Sequence, residues 1–296
     1  MNNRKLAWSG LAVILPLSTS VMADENLLGY VKGAETLPAG TWEGYQIFTE
    51  RKDKGVGKYR AIDSMTELEY GVTDKFTVNG GLKAMTLDTS DILIDAYIPE
   101  DNDMSWRFTG FELGMKYNFL SPALDDFGLS GYWELDYGTV DPHSGQDKTT
   151  ISIESLLIAQ KYFLEGQLIW AGNLGMEATY AKRDEIDNLP AGFEWPTDPE
   201  MEIEFQLGTG LSYRFAPSWF VGAEVLYETE FETEVGQERW SVFAGPSVHY
   251  ASSKWWATLT WFEQLEGGGE LVQDSDDQHL IEKTKHELRL KLGYNF

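Results

Sequence analysis

Acidic residues at alternate positions are the feature of this sequence that could do chemistry. Pairs such as Glu67 and Glu69, or Glu202 and Glu204, stand two residues apart, a spacing that puts both carboxylates on one face of a β-strand. Carboxylates that line a water-filled space would attract cations and repel anions. The acids predicted to share such an inner face are Glu67, Glu69, Glu112, Glu134, Asp136, Glu154, Glu177, Glu202, Glu204, Glu224, Glu228, Glu230 and Glu287.

Basic residues on the same face are fewer. They are Lys83, Lys116, Arg214, Arg239, Arg289 and Lys291. Glu202, Glu204 and Glu224 are predicted on adjacent strands, with too few nearby bases to neutralise all three. The excess of acids predicts an interior that favours cations. A network of paired Glu and Arg side chains filling a narrow barrel is the alternative.

The histidines do not suggest catalysis or metal binding. His143 stands beside Ser144 in "DPHSGQD" (141–147), and neighbouring side chains in a strand point to opposite faces, so His143 is poorly placed to activate Ser144. Proline and glycine make this stretch a turn, which predicts a solvated loop histidine. His279 and His286 do not have zinc-ligand spacing. We predict no enzymatic activity, no metal site and no cofactor, with an outer-membrane hydrolase as the least favoured function.

An acidic stripe occupies residues 227–238, "YETEFETEVGQE". Glu228, Glu230, Glu232 and Glu234 stand at alternate positions and would line one face if the segment is extended. Such carboxylates could hold a divalent cation. Exposed runs of charge are more often a solvated rim, which is the interpretation we favour.

The alternation itself predicts long β-strands. In "MEIEFQLGTGLSYRF" (201–215), apolar and polar side chains alternate along the segment. Soluble strands average about five or six residues, whereas a tilted strand needs about nine to eleven to cross a membrane. Short turns flanked by aromatic residues recur at one end of the predicted strands. Longer acidic connections recur at the other end, which is typical of outer-membrane barrels.

Counting the short turns predicts twelve strands. Their predicted spans are 42–51, 60–71, 76–88, 104–119, 127–140, 148–161, 166–182, 200–215, 219–233, 239–250, 255–265 and 281–296. The fold class is therefore all-β: a transmembrane, antiparallel, up-and-down β-barrel domain over residues 42–296. Residues 24–41 are predicted to be a periplasmic lead-in segment, and the sequence leaves their path open.

The N-terminus resembles a secretory signal. Arg4 and Lys5 precede a short apolar run, and Val21-Met22-Ala23 fits a cleavage site, which predicts a cleaved signal peptide over residues 1–23. Cleavage leaves 21 basic and 48 acidic residues, a formal charge of −27. That charge argues against nucleic acid as a partner. The chain has no cysteine, so disulfides and thiolate metal sites are excluded.

The last residues alternate in the same way and end on an aromatic side chain. Leu288, Leu290, Leu292, Tyr294 and Phe296 share one strand face. This ending resembles the assembly signal of bacterial outer-membrane β-barrel proteins, and implies recognition by the barrel-assembly machinery. Four stretches resemble a group of uncharacterised proteobacterial outer-membrane proteins: "GYVKGAETLPAGTWEGYQ", "EYGVTDKF", "KYNFLSPALDDFGLS" and "LRLKLGYNF". More distantly, the chain is similar to barrels grouped with candidate solute transporters.

These features predict a porin-like protein of the Gram-negative outer membrane, in contact with lipid and lipopolysaccharide. The expected role is passive passage or binding of small hydrophilic or cationic solutes. Barrels of about eight strands have filled interiors, and those of about sixteen to eighteen enclose aqueous channels. Twelve strands fall between these sizes. A plugged structural barrel whose acidic loops bind partners or divalent cations is the alternative.

Overall fold

The structure is a computed structural model that describes residues 26–92, 102–186, 195–232, 236–269 and 277–296. The expected signal peptide lies outside the described residues. The strands are β1 (Trp42–Lys52), β2 (Lys58–Thr73), β3 (Phe76–Ser90), β4 (Asn102–Leu120), β5 (Gly128–Val140), β6 (Asp147–Phe163), β7 (Leu168–Arg183), β8 (Glu200–Ala216), β9 (Trp219–Glu232), β10 (Gly236–Ala251), β11 (Trp255–Gly269) and β12 (His286–Asn295). A single 3₁₀ turn, Leu164–Gly166, separates β6 from β7.

The twelve strands form one closed antiparallel barrel. Each strand pairs with its neighbours in sequence, and β12 closes the sheet against β1, with Gly44 opposite Tyr294 and Lys52 opposite His286. The predicted fold class is therefore confirmed. Closure pairs both edges of the sheet. A β-sheet in lipid requires this because unpaired backbone N–H and C=O groups are costly there.

The outer surface is a belt of apolar side chains. Along β8, Met201, Phe205 and Leu207 are between 44% and 56% exposed, while their neighbours in sequence point inward. Aromatic side chains gather at the end with short turns, where Trp219 packs on Tyr250 with ring centroids 4.8 Å apart. These are the features of an outer-membrane β-barrel. Among the described residues, none forms a helix long and apolar enough to cross a membrane.

The two ends of the barrel differ. We call the end with the β2–β3 and β8–β9 connections the turn end, and the opposite one the loop end. Strand β12 begins at His286 and not at residue 281 as predicted, because residues 277–285 fold into the interior at the loop end. Gln264 of β11 holds this inner loop (277–285) by binding the backbone of His279 and Thr284.

The N-terminal segment (26–37) lies inside the barrel. Its first residue, Asn26, accepts a hydrogen bond from Thr258 near the turn end. Its far side, at Ala34, binds Gln160 and Asn118 near the turn ends of β6 and β4. Between these points the segment rises into the lumen, so it forms an arch that enters and leaves at the turn end. The path that the sequence left open therefore runs through the interior.

Candidate functional site

A row of five glutamates crosses the inner wall from β5 to β9. Glu134 lies opposite Glu154, Glu154 opposite Glu177, Glu177 opposite Glu204, and Glu204 opposite Glu230. We call these five residues the glutamate ladder. Directly opposite residues have Cβ atoms about 4.5–5.5 Å apart, and like charges in such positions repel. A sheet that carries this repulsion across five strands concentrates negative charge on one side of its lumen.

Basic side chains form ion pairs with the two ladder glutamates on β8 and β9. Arg239 of β10 stands opposite Glu230 and binds it at 2.5 Å. Lys283, from the inner loop, lies 3.8 Å from Glu204 and 2.5 Å from Glu228. The inner loop is thus held to the acidic wall by its lysine. Neighbouring carboxylates, led by Glu228 and Glu204, outweigh the effect of burial and raise the pKa of Lys283.

The hydrogen-bond partners in the middle of the ladder are neutral within the described part of the chain. Glu154 accepts a hydrogen bond from the amide of Gln206, and Glu177 accepts one from the Thr179 hydroxyl at 2.9 Å. Neither carboxylate forms an ion pair with a described Lys or Arg. Glu154 and Glu177 are therefore the ladder positions where a mobile cation gains most.

Two cavities inside the barrel adjoin the ladder. The larger, of about 470 Å³, has Glu177 in its wall, and the smaller, of about 290 Å³, has Glu154. The acids of the larger cavity are Asp63, Asp136, Asp141, Glu177, Glu202, Glu204, Glu230 and Glu282, and its bases are Lys83, Lys148, Arg239 and Arg289. Eight acids against four bases leave this cavity with excess negative charge.

The other end of the ladder faces Lys32, at the top of the arch. Its ammonium lies over the Tyr132 ring, 4.1 Å from the centroid. Burial alone would lower the pKa of Lys32, but surrounding carboxylates outweigh it and raise the pKa. In order of effect these are Glu134, Glu67, Glu154 and Glu112. Asn173 fixes the position of Lys32 by binding its backbone N–H and C=O at 2.7 and 2.9 Å.

Every acid and base predicted to face inward lies on the inward alternation of its strand. Glu67, Glu69, Glu112, Glu224 and Glu230 are buried. Most ladder and cavity acids stand toward the centre and loop end, whereas Arg214 lies at the turn end of β8, opposite Phe220. Arg214 is therefore remote from the acids gathered at the loop end.

The expectation that Glu202, Glu204 and Glu224 lack partners is wrong. Lys148 lies 3.7 Å from Glu202, and Lys283 lies near Glu204. Glu224 accepts hydrogen bonds from the backbone N–H groups of three consecutive residues, Gly29, Tyr30 and Val31, at 2.7, 2.8 and 3.0 Å. Lys148 lies in β6 on the same inward alternation as Glu154, so alternation could have revealed it. The partners on the inner loop and the N-terminal segment carry no strand pattern, and alternation could not reveal them.

The stripe at 227–238 is not a solvated rim where the structure describes it. Glu228 and Glu230 lie in strand β9 with their side chains in the lumen, each bound to a cation. Glu230, Glu238 and Glu282 do bring carboxylate oxygens within 4.8 Å of one another. Arg239 contacts all three of these carboxylates, and its guanidinium supplies the positive charge that this group needs. Glu234 lies outside the described residues.

The histidine nearest a serine is not arranged as a catalytic base. The Ser144 hydroxyl donates to Asp141 at 3.1 Å, while the His143 ring nitrogen Nδ1 faces the Lys54 ammonium at 3.2 Å. His143 is half-buried and not solvated as expected, because Lys54 reaches in from the β1–β2 loop. Lys54 also donates to the carbonyl oxygen of Ile281 at 2.5 Å. This cluster joins three loops into a cap over the lumen.

Glycines in the wall make room for the N-terminal segment. A Cβ atom at Gly210 would lie 2.5 Å from a methyl carbon of Leu28, and one at Gly222 would lie 2.9 Å from the other methyl. Leu28 is 3% exposed in this groove. The alternation of small residues in "LGTGLS" (207–212) is the sequence signal for the groove, although it does not say what fills it.

Comparison with known sequences places the chain in a family. Residues 20–296 match a family of unknown function, DUF6662. The chain belongs to this family. No curated protein matches the sequence. The match covers the whole barrel, and so the likeness to uncharacterised outer-membrane proteins read from the sequence is confirmed.

Two solved structures share the architecture of this DUF6662 member. An outer membrane channel from Pseudomonas putida F1 is similar with a TM-score of 0.55 at 13% identity, covering 89% of this chain and 98% of the channel. The β domain of the Bordetella autotransporter BrkA is similar with a TM-score of 0.54 at 14% identity, covering 87% and 100%. Such identities establish the fold, an outer-membrane β-barrel, and leave the function to be argued from the lumen.

Proposed function

We propose that this barrel is a passive channel of the outer membrane for small, hydrophilic, cationic solutes. The glutamate ladder is the observation that carries the proposal. Five carboxylates in direct register cost the sheet repulsion energy, and a cation in the lumen relieves it. Fixed charges of one sign in a narrow, low-dielectric passage raise the local concentration of the opposite ion and exclude like charge.

The cavities beside the ladder support passage of small solutes. The cavity of about 290 Å³ is lined by both inserted segments and that of about 470 Å³ by the inner loop, and Arg289 lines both. Side-chain contacts with the wall, and not strand pairing, hold both inserted segments: hydrogen bonds and apolar packing hold the N-terminal segment, and ion pairs hold the inner loop. Movement of these segments would join the cavities to the two ends of the barrel without breaking the sheet.

Replacing Glu154 and Glu177 by Gln tests this proposal. The substitutions remove two charges from the middle of the ladder and nearly preserve side-chain volume. In a planar bilayer with a salt gradient, the reversal potential should shift toward the equilibrium potential of the anion. The shift should shrink in concentrated salt, because the Debye length falls from about 10 Å at 0.1 M to about 3 Å at 1 M.

A matched control removes exposed acids away from the lumen. Asp126→Asn with Glu165→Gln changes two exposed acids of the turns at the turn end and should leave the reversal potential near that of the wild type. Equal selectivity in the ladder variant and the wild type would overturn the role of the ladder. An absence of conductance in all variants would favour the plugged structural barrel.

A further inference from the structure

Lys32 occupies its position on the wall in the manner of a bound ligand. It belongs to the N-terminal segment, which has no strand pairing with the wall, yet its ammonium lies on the face of Tyr132 at 4.1 Å. The face of an aromatic ring attracts a cation, and proteins use this contact to recognise organic ammonium ligands. The chain therefore presents a primary ammonium to a site that the barrel wall forms by itself.

The carboxylates of this site come from four different strands. Glu67 lies on β2, Glu112 on β4, Glu134 on β5 and Glu154 on β6. Among the described residues, Lys32 forms no direct ion pair with any of these four carboxylates, although all four raise its pKa. The carboxylates thus lie around the ammonium without direct contact. The side chain of Lys32 also borders the 290 Å³ cavity and another of 120 Å³.

We propose that Tyr132, Glu67, Glu112, Glu134 and Glu154 form a binding site for the primary ammonium group of a small organic solute, which Lys32 occupies as a tethered competitor. This inference rests on the proposed function and specifies its solute class. A tethered group competes at an effective concentration in about the millimolar range. The tether therefore weakens apparent solute binding, and its removal strengthens it.

Lys32→Met on the full mature chain tests the proposal. Methionine keeps the length and apolar stem of lysine and removes its charge. The probe is 1,4-diaminobutane, which carries two primary ammonium groups, titrated by calorimetry into the folded barrel in detergent. Affinity should rise about tenfold over the wild type, the factor expected when a tethered group with a dissociation constant of about 0.1 mM no longer competes at an effective concentration of about 1 mM. Lys75→Met, in an exposed turn, is the matched control and should bind as the wild type does.

Two further variants test the site itself in the Lys32→Met background. Tyr132→Phe keeps the aromatic face and should retain the gain in affinity, whereas Tyr132→Leu removes that face and should abolish it. Circular dichroism of each variant verifies that the barrel has folded. Equal affinities of the wild type and Lys32→Met would overturn the proposal, as would a gain that survives Tyr132→Leu. Because calorimetry does not depend on conduction, a barrel that conducts cations but fails this test refutes only the amine site.

Discussion

At the scale of single residues, Glu177 carries the clearest functional signature. It lies opposite one glutamate on each side, Glu154 and Glu204, and its described partner is a neutral hydroxyl. A residue chosen for stability alone would avoid two like-charged neighbours. The stability of this barrel and the proposed attraction of cations therefore make opposite demands on this position.

Glu177→Gln should stabilise the barrel. The amide oxygen can still accept the Thr179 hydroxyl, while two like-charge pairs disappear, which should raise the free energy of unfolding by about 0.4–2 kcal/mol. Urea unfolding of the barrel in detergent micelles measures this change. Glu165→Gln, at an exposed turn, is the control for loss of one negative charge. A clear loss of stability in Glu177→Gln would mean that its charge is structural.

Among the elements, the two segments inside the lumen are held against the barrel wall by different interactions. The N-terminal segment uses apolar packing of Leu27, Leu28 and Val31 together with the Glu224 hydrogen bonds. The inner loop uses ion pairs of Glu282 and Lys283 with the wall. The position of the N-terminal segment should therefore depend on the size of the side chains that pack against it. The cap formed by the three loops at the loop end, here called the loop cap, should depend on charge and pH.

Gly210→Leu should displace the N-terminal segment without changing any charge. The new side chain would occupy the groove that now holds Leu28, where even a Cβ would lie 2.5 Å from it. Because the chain has no cysteine, Ser212→Cys provides a reporter beneath the segment, at a position that is 2% exposed. Maleimide labelling of this cysteine should accelerate at least about tenfold, the factor for 1.4 kcal/mol of lost packing.

The matched control is Gly80→Leu, at an outward-facing glycine where a Cβ meets its nearest atom, a Leu113 methyl, at 3.4 Å. When Gly80→Leu is combined with Ser212→Cys, maleimide should label the cysteine as slowly as in Ser212→Cys alone. Equal rates for Gly210→Leu and Gly80→Leu would show that the segment does not depend on the groove.

The loop cap should loosen in acid. Burial lowers the pKa of His143 well below its usual 6.5, and the positive charges of Lys54, Arg51, Arg239 and Lys148 lower it further. His143 is therefore neutral in the closed cap and would recover its usual pKa in an open one. The closed cap is fully favoured above about pH 6.5 and loses its advantage as the pH falls below that value.

His143→Gln provides the comparison, because its amide oxygen can accept the Lys54 hydrogen bond without titrating. A cysteine at Thr284, which is 1% exposed in the inner loop, reports opening through its reaction with a thiosulfonate reagent. The ratio of wild-type to His143→Gln labelling should rise between pH 7.5 and pH 5. Parallel pH profiles would exclude His143 as the titrating group.

For the whole molecule, alternation was enough to predict the barrel and the inward face, because a strand has a period of two. Alternation could not predict two features, the glutamate ladder and the path of the N-terminal segment. The ladder depends on the register between strands, which decides that Glu154 meets Glu177 and not its neighbour. The N-terminal segment has no periodicity, and its bond to Glu224 joins residues 195 apart in the chain. The assembly role of Tyr294 and Phe296 stays a prediction, although Tyr294 lies outward on the closing strand and Phe296, one residue beyond its end, is exposed.

We propose that fixed negative charge in the lumen makes this barrel a pathway for cations. The reversal potential across a KCl gradient, for the wild type and for Gly210→Leu in a planar bilayer, tests it most directly. A potential of the sign set by K⁺ is expected in the conducting form, and at a fixed concentration ratio it should shrink as both solutions are made more concentrated. A potential of the sign set by Cl⁻, or no conductance in either protein, would contradict it.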